Sequence, residues 1–249
     1  MREALVAGLW GLLAGSALLA GAALGTYLTL PRRLIGLVMA FGSGVLIAAV
    51  AYELVAEAHD GGGMLAAALG TAVGALLYSA GNAVLARRGA RHRKRTGGRQ
   101  PSETEQPGSG GAIALGSVLD GIPESVVIGA STIGSGSVSA ATVGAVFLSN
   151  LPEGMASSTG MRDAGRSRRY VFGLWSAIAV LCGVAALVGR ALLGGAPPLA
   201  LALVTAVAAG AILAMIADTM LPEAHEQSHL LTGMATVTGF LTAFALTEA

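Results

Sequence analysis

Long apolar runs separated by short polar joints set the pattern of this chain. Eight runs reach the ~20 residues that a helix needs to cross a bilayer. They fall at roughly 4–30, 34–58, 64–86, 112–133, 138–160, 171–193, 199–222 and 230–247. The joints carry turn chemistry: PRR at 31–33, HDGGG at 59–63, GSGS at 134–137 and GGAPP at 194–198. The pattern predicts an all-α, polytopic integral membrane protein: a single transmembrane domain over 1–249 with eight helices. One linker is long. Residues 87–111 read RRGARHRKRTGGRQPSETEQPGSGG, polar and rich in Gly and Pro, and are expected to be disordered. The first run resembles a signal peptide at a glance. Its uncharged stretch from Ala4 to Leu30 exceeds the ~7–15 residues of a signal core, so a retained span is expected.

Composition agrees with lipid rather than water as the surroundings. Hydrophobic residues make up 54% of the 249 and charged ones 12%, with a mean hydropathy of +0.71, against about 25% charged in soluble domains. The 37 glycines suit helices that pack closely in a membrane. GxxxG-like spacings such as Gly21 to Gly25 are too common in such a chain to mark a particular contact. Trp10 and Trp175 read as interface anchors or packing. The lone cysteine, Cys182, excludes an intramolecular disulfide and reads as a small hydrophobe.

Charge sets the orientation. Of the 15 Lys and Arg residues, all but Arg2 and Arg190 fall in joints on one side. These are Arg32 and Arg33, then the 87–99 cluster, then Arg162, Arg166, Arg168 and Arg169. The positive-inside rule places those joints in the cytoplasm and both termini outside, in the cell membrane. The basic linker reads as an orientation signal beside anionic lipid, not as a nucleic-acid surface.

Ionisable groups inside spans are costly and mark function. Here they are nearly all acidic: Glu53, Glu57, Asp120, Glu124, Glu153, Asp218 and Glu223. Hardly a base is expected at their depth, so structural ion pairing does not explain them. They must be protonated, hydrated or bound to cations, and a cation path satisfies all three. Asp120 and Glu124 share a helix face at i, i+4, as do Glu53 and Glu57, while Asn150 and Glu153 lie at i, i+3. Pro123 and Pro152 precede their glutamates and free the carbonyls of Leu119 and Leu148 for water or metal. Asp218 reads equally as a ligand or as a hydrogen-bonding partner of a neighbouring helix. Near the cytoplasmic end of span seven, His225 and His229 have a metal-capable i, i+4 spacing beside Glu223 and Glu226, and equally suit simple solvation. His59, beside Asp60 at the outer mouth, reads as solvated.

The consecutive motifs DGIPES at 120–125 and SNLPEG at 149–154, with AGAILAMIADTMLPEAHEQSH in span seven, resemble the ZIP (Zrt/Irt-like) divalent-metal transporters. The resemblance implies metal ligation by Glu124 and Glu153, with Asp120 in place of a first-motif His and Asn150 in place of a second-motif Asn or Asp. It also implies an elevator-like movement and, commonly, a homodimer. This chain departs by lacking the first-motif His-Asn pair and a sixth-span glutamate, which argues against two bound metals. An all-oxygen donor set suits Mn²⁺ or Fe²⁺ better than one bearing imidazole, with Zn²⁺ the family's usual cargo.

The expected function is therefore inward transport of divalent metal through Asp120, Glu124, Asn150 and Glu153. The path runs in past Glu53, Glu57 and His59, and out past Glu223, His225 and His229. Metal is the substrate, and no prosthetic group is expected. The rivals are a proton-coupled carrier of another cation, an intramembrane metal-dependent hydrolase, and a sensor or scaffold with a vestigial site. An enzyme is disfavoured, since the chain has neither HExxH nor a mid-membrane His.

Overall fold

The computed structural model describes residues 1–94, 100–102, 104–133 and 140–247; the GSGS turn expected at 134–137 lies outside them. All regular structure among the described residues is helical. The helices are α1 (Arg2–Tyr27), α2 (Arg32–Ala49), α3 (Val55–Arg87), α4 (Ser109–Ser131), α5 (Ala140–Asp163), α6 (Arg168–Leu193), α7 (Pro198–Met215), α8 (Leu221–Ser228) and α9 (Thr232–Thr247). A π turn at Val50–Leu54 joins α2 to α3, and another at Ile216–Met220 joins α7 to α8. Such turns insert one residue into the ladder and often sit at functional positions. The first holds Glu53 and the second Asp218.

Among the described residues, five helical stretches are long and apolar enough to cross a membrane: Arg2–Tyr27, Arg32–Arg87, Ser109–Ser131, Arg168–Leu193 and Pro198–Leu246. The apolar pattern divides two of these further. Arg32–Arg87 has 56 residues, far more than one crossing requires, and it kinks at Gly63, whose backbone sits at φ 75° and ψ 173°. A positive φ is cheap only for glycine, which is why the HDGGG joint breaks there. Pro198–Leu246 is interrupted at His229, at φ 47°. α5 does not reach the same apolarity, since it carries Ser149, Asn150, Glu153, Ser157, Ser158 and Thr159, all buried inside the bundle.

The outside of the bundle is leucine-rich. Leu9 and Leu13 on α1, Leu65 and Leu76 on α3, and Leu192 on α6 are all exposed. An apolar exterior of this extent suits hydrocarbon surroundings. Inside, α1 packs on α5 and α6, α3 on α7, α2 on α9 and α5, and α4 on α6 and α7. The α1–α5 pair meets backbone to backbone. A Cβ on Gly21 would overlap the Leu151 carbonyl, and one on Gly154 would overlap that of Leu18. Gly21 and Gly25 therefore do mark a particular contact, contrary to the expectation from their spacing alone. Between α5 and α6, Trp175 is fully buried and its indole N–H donates to Ser158 Oγ at 2.7 Å. It is a packing residue, not an interface anchor.

Candidate functional site

α4 carries Asp120 and Glu124 one turn apart, and α5 carries Glu153. The three carboxylates are 1%, 2% and 4% exposed. Both helices run through their prolines, Pro123 and Pro152, without ending. The α1–α5 contact at Gly154 lies next to Glu153 in sequence, so a close helix approach fixes the backbone beside one acid.

The acids are not alone. Arg93 and Lys94, from the linker between α3 and α4, reach inward and are each 1% exposed. Arg93 grips Asp120 with two parallel bonds, Nε to Oδ2 at 2.9 Å and Nη2 to Oδ1 at 2.8 Å. This is the bidentate fork that makes Arg–carboxylate pairs strong. The same guanidinium donates to Tyr78 Oη at 2.9 Å, Asn82 Oδ1 at 2.8 Å and the Ala90 carbonyl at 3.3 Å. All five of its N–H groups are thus used. Tyr78 Oη in turn donates to Asp120 Oδ1 at 2.5 Å. Room for Arg93 comes from Gly116 on α4, where a Cβ would lie 2.6 Å from Arg93 Cδ.

Lys94 occupies a different position. Its Nζ lies 3.2 Å from Asp120 Oδ2 and 2.9 Å from Glu153 Oε2, bridging α4 and α5. The contacts are ion pairs, and charge attraction dominates them. Burial works against the ammonium, but Asp120 and Glu153 outweigh it and hold Lys94 above the ordinary lysine range. Glu124 has no cationic partner among the described residues; Ser149 Oγ approaches its Oε1 at 3.4 Å. Gln100 fastens the linker, its Nε2 donating to the Arg93 carbonyl at 2.6 Å and to the Ser157 carbonyl of α5 at 3.1 Å.

Two expectations are corrected. Bases do lie at the depth of the acids, and the described residues of 87–111 are in part folded and buried rather than disordered. The cause is shared: buried carboxylates need counter-charge, and the linker supplies it. Sequence reasoning missed Tyr78, Asn82, Arg93, Lys94 and Gln100. One signal was present. Asn82 lies one turn from Tyr78 in an apolar span, and RRGARHRKR is the basic stretch nearest α4.

The other predicted residues are placed apart from this centre. The amide of Asn150 donates to the Ala14 carbonyl of α1 at 3.1 Å, so it is tied to that helix. Glu53 accepts a hydrogen bond from Thr142 of α5. Glu57 and Asp60 line a cavity of about 320 Å³ with Pro198 and Thr205, beside the exposed His59. Asp218 accepts from Ser79 Oγ at 2.9 Å, in keeping with its reading as a hydrogen-bonding partner. Glu223 is buried on α8, while His225 and His229 are exposed with ring centres 5.9 Å apart, edge to face. Among the described residues, no three His, Cys, Asp or Glu side chains are gathered closely enough to hold a metal as they stand.

No family model matches the chain, and no curated protein sequence matches it.

Proposed function

We propose that the chain is a multi-pass carrier of the cell membrane that moves divalent metal ions into the cytoplasm, of the ZIP-like kind that DGIPES and SNLPEG resemble. The observation that carries this reading is convergence. Buried carboxylates from two separate helices, Asp120 on α4 and Glu153 on α5, face a single positive centre, with Glu124 one turn from Asp120. Under this reading the kinked stretches Arg32–Arg87 and Pro198–Leu246 each cross twice, and α1, α4, α5 and α6 once. That gives eight crossings with both termini outside. Ions enter past Glu53, Glu57 and the cavity that Glu57 and Asp60 line, and leave past Glu223, His225 and His229. The oxygen-only donors favour Mn²⁺ or Fe²⁺ over Zn²⁺. Because carboxylates bind metal only when deprotonated, uptake falls as pH drops. The working unit in this proposal is a homodimer.

A second reading has one observation in its favour: the cation seen between the acids is an alkylammonium. A carrier of small organic ammonium ions would hold its cargo in the same way.

Purified protein in liposomes loaded with a metal-sensitive dye separates the two. Zn²⁺, Mn²⁺, Fe²⁺, Co²⁺ and Mg²⁺ are offered in turn, to the parent and to Glu124→Ala and Glu153→Ala. The metal reading expects uptake by the parent and none by either variant. Parental uptake in both variants contradicts the site. Failure of every metal, with uptake of radiolabelled methylammonium, supports the second reading.

A further inference from the structure

We propose that Lys94 is a tethered stand-in for the transported ion, closing the centre from the cytoplasmic side until a divalent cation displaces it; this rests on the carrier reading above. Three observations carry it. First, Lys94 and Arg93 are neighbours with unlike bonding. Arg93 has every N–H satisfied and is held by Asp120, Tyr78, Asn82 and Ala90. Lys94 is equally buried, yet its ammonium has two carboxylate contacts, at 3.2 and 2.9 Å, where Arg93 makes five hydrogen bonds. Ammonium is the more strongly hydrated of the two ions, so burial with only these two contacts leaves Lys94 the weaker of the two attachments. Arg93 is the anchor and Lys94 the movable part.

Second, the charges favour exchange. Asp120 is neutralised by Arg93 in a bidentate pair. That leaves Lys94 as the counter-charge of Glu153, with Glu124 one turn from Asp120 and without a cationic contact among the described residues. A divalent ion in place of Lys94 brings charge enough for both glutamates once both are ionised. This assigns Glu124 and Glu153 as the metal ligands and gives Asp120 the separate task of holding the linker, unlike the ligand role that the family resemblance implies.

Third, the plug is built into the fold. Gly116 leaves the groove that the Arg93 stem fills, and Gln100 ties the Arg93 carbonyl to α5 at Ser157. The linker therefore bridges α4 and α5, the two helices that carry the acids. Withdrawal of Lys94 toward the cytoplasm opens the centre while Arg93 keeps the segment nearby.

The test measures Mn²⁺ binding by titration calorimetry in detergent for the parent, Lys94→Gln and Lys94→Arg. A ligand competing with a tethered occupant is weakened by the fraction of time the site is closed. Lys94→Gln is expected to bind Mn²⁺ ~10-fold more tightly, and Lys94→Arg to stay within about threefold of the parent. Equal or weaker binding by Lys94→Gln overturns the proposal. A second measurement needs no variant. Trypsin cleavage after Lys94, followed by mass spectrometry on the intact parent, is expected to be slow without Mn²⁺ and to accelerate when Mn²⁺ saturates the protein. Equal rates overturn the proposal. If neither parent nor Lys94→Gln binds Mn²⁺, Fe²⁺ or Zn²⁺, the metal-carrier reading itself falls; if the parent binds and the variant does not tighten, only the plug falls.

Discussion

Asp120→Asn tests the buried ion cluster with the least change in shape. Asp120 is 1% exposed, takes two bonds from Arg93 and one from Tyr78, and lies against Lys94. The substitution keeps the volume and removes the charge. It leaves the Arg93 guanidinium buried without a counter-ion, while Lys94 still has Glu153. Breaking a buried pair by removing one partner costs ~3–5 kcal/mol, and the remaining acid puts this case near 3. At ~2–4 °C per kcal/mol for a chain of this size, Tm falls by ~6–12 °C. The chain supplies its own reporter, because its only cysteine, Cys182, is buried. A maleimide dye that fluoresces on reaction then follows unfolding in detergent. A double variant, Asp120→Leu with Arg93→Met, removes both charges and is expected to melt above Asp120→Asn, since an apolar pair replaces a buried ion pair at little cost. Asp120→Asn melting within about 2 °C of the parent refutes the reasoning. So does a double variant that melts lower than the single.

The remaining predictions concern the supports of the centre and of the bundle. Tyr78→Phe removes the hydroxyl that donates to Asp120 and accepts from Arg93, and it is expected to cost ~1–3 kcal/mol in the same melting assay. Gly116→Val fills the groove against Arg93 Cδ and is expected to expel the Arg93–Lys94 segment, read as trypsin cleavage there without added metal. Gly154→Val drives a side chain into the Leu18 backbone, separates α1 from α5, and is expected to abolish the monodisperse peak in gel filtration. Trp175→Phe loses the bond to Ser158 and is expected to cost about 1 kcal/mol, lowering Tm by ~2–4 °C.

Much of the architecture is legible in the apolar runs, because a helix long enough for a bilayer needs an unbroken run of hydrophobic residues. The HDGGG joint identifies the kink at Gly63, where a positive φ demands glycine. The facing of Asp120 with Glu124 also follows from helical spacing, which does not depend on the rest of the fold. What the chain hides is depth. Arg91 and Lys94 lie close together in one linker, and nothing local tells that the first stays exposed while the second is drawn into the bundle. That choice depends on where α4 and α5 set their carboxylates, a tertiary matter. Asn150 makes a related point: spacing puts it near Glu153 along α5, and its amide nitrogen donates to the Ala14 carbonyl of α1, a partner 136 residues away that spacing could not reveal. The π turn around Glu53 is equally silent, since it changes the ladder without a Gly or Pro to announce it, whereas Pro222 follows just after the one around Asp218. Gly21 and Gly25 become informative only once their partner helix is known.

The most direct measurement is anomalous X-ray scattering from crystals of the protein soaked in Mn²⁺. The account predicts a manganese peak within coordinating distance of the Glu124 and Glu153 carboxylates, Arg93 still paired with Asp120, and the Lys94 ammonium moved out of the centre. A peak elsewhere, with Lys94 still seated between Asp120 and Glu153, would contradict it.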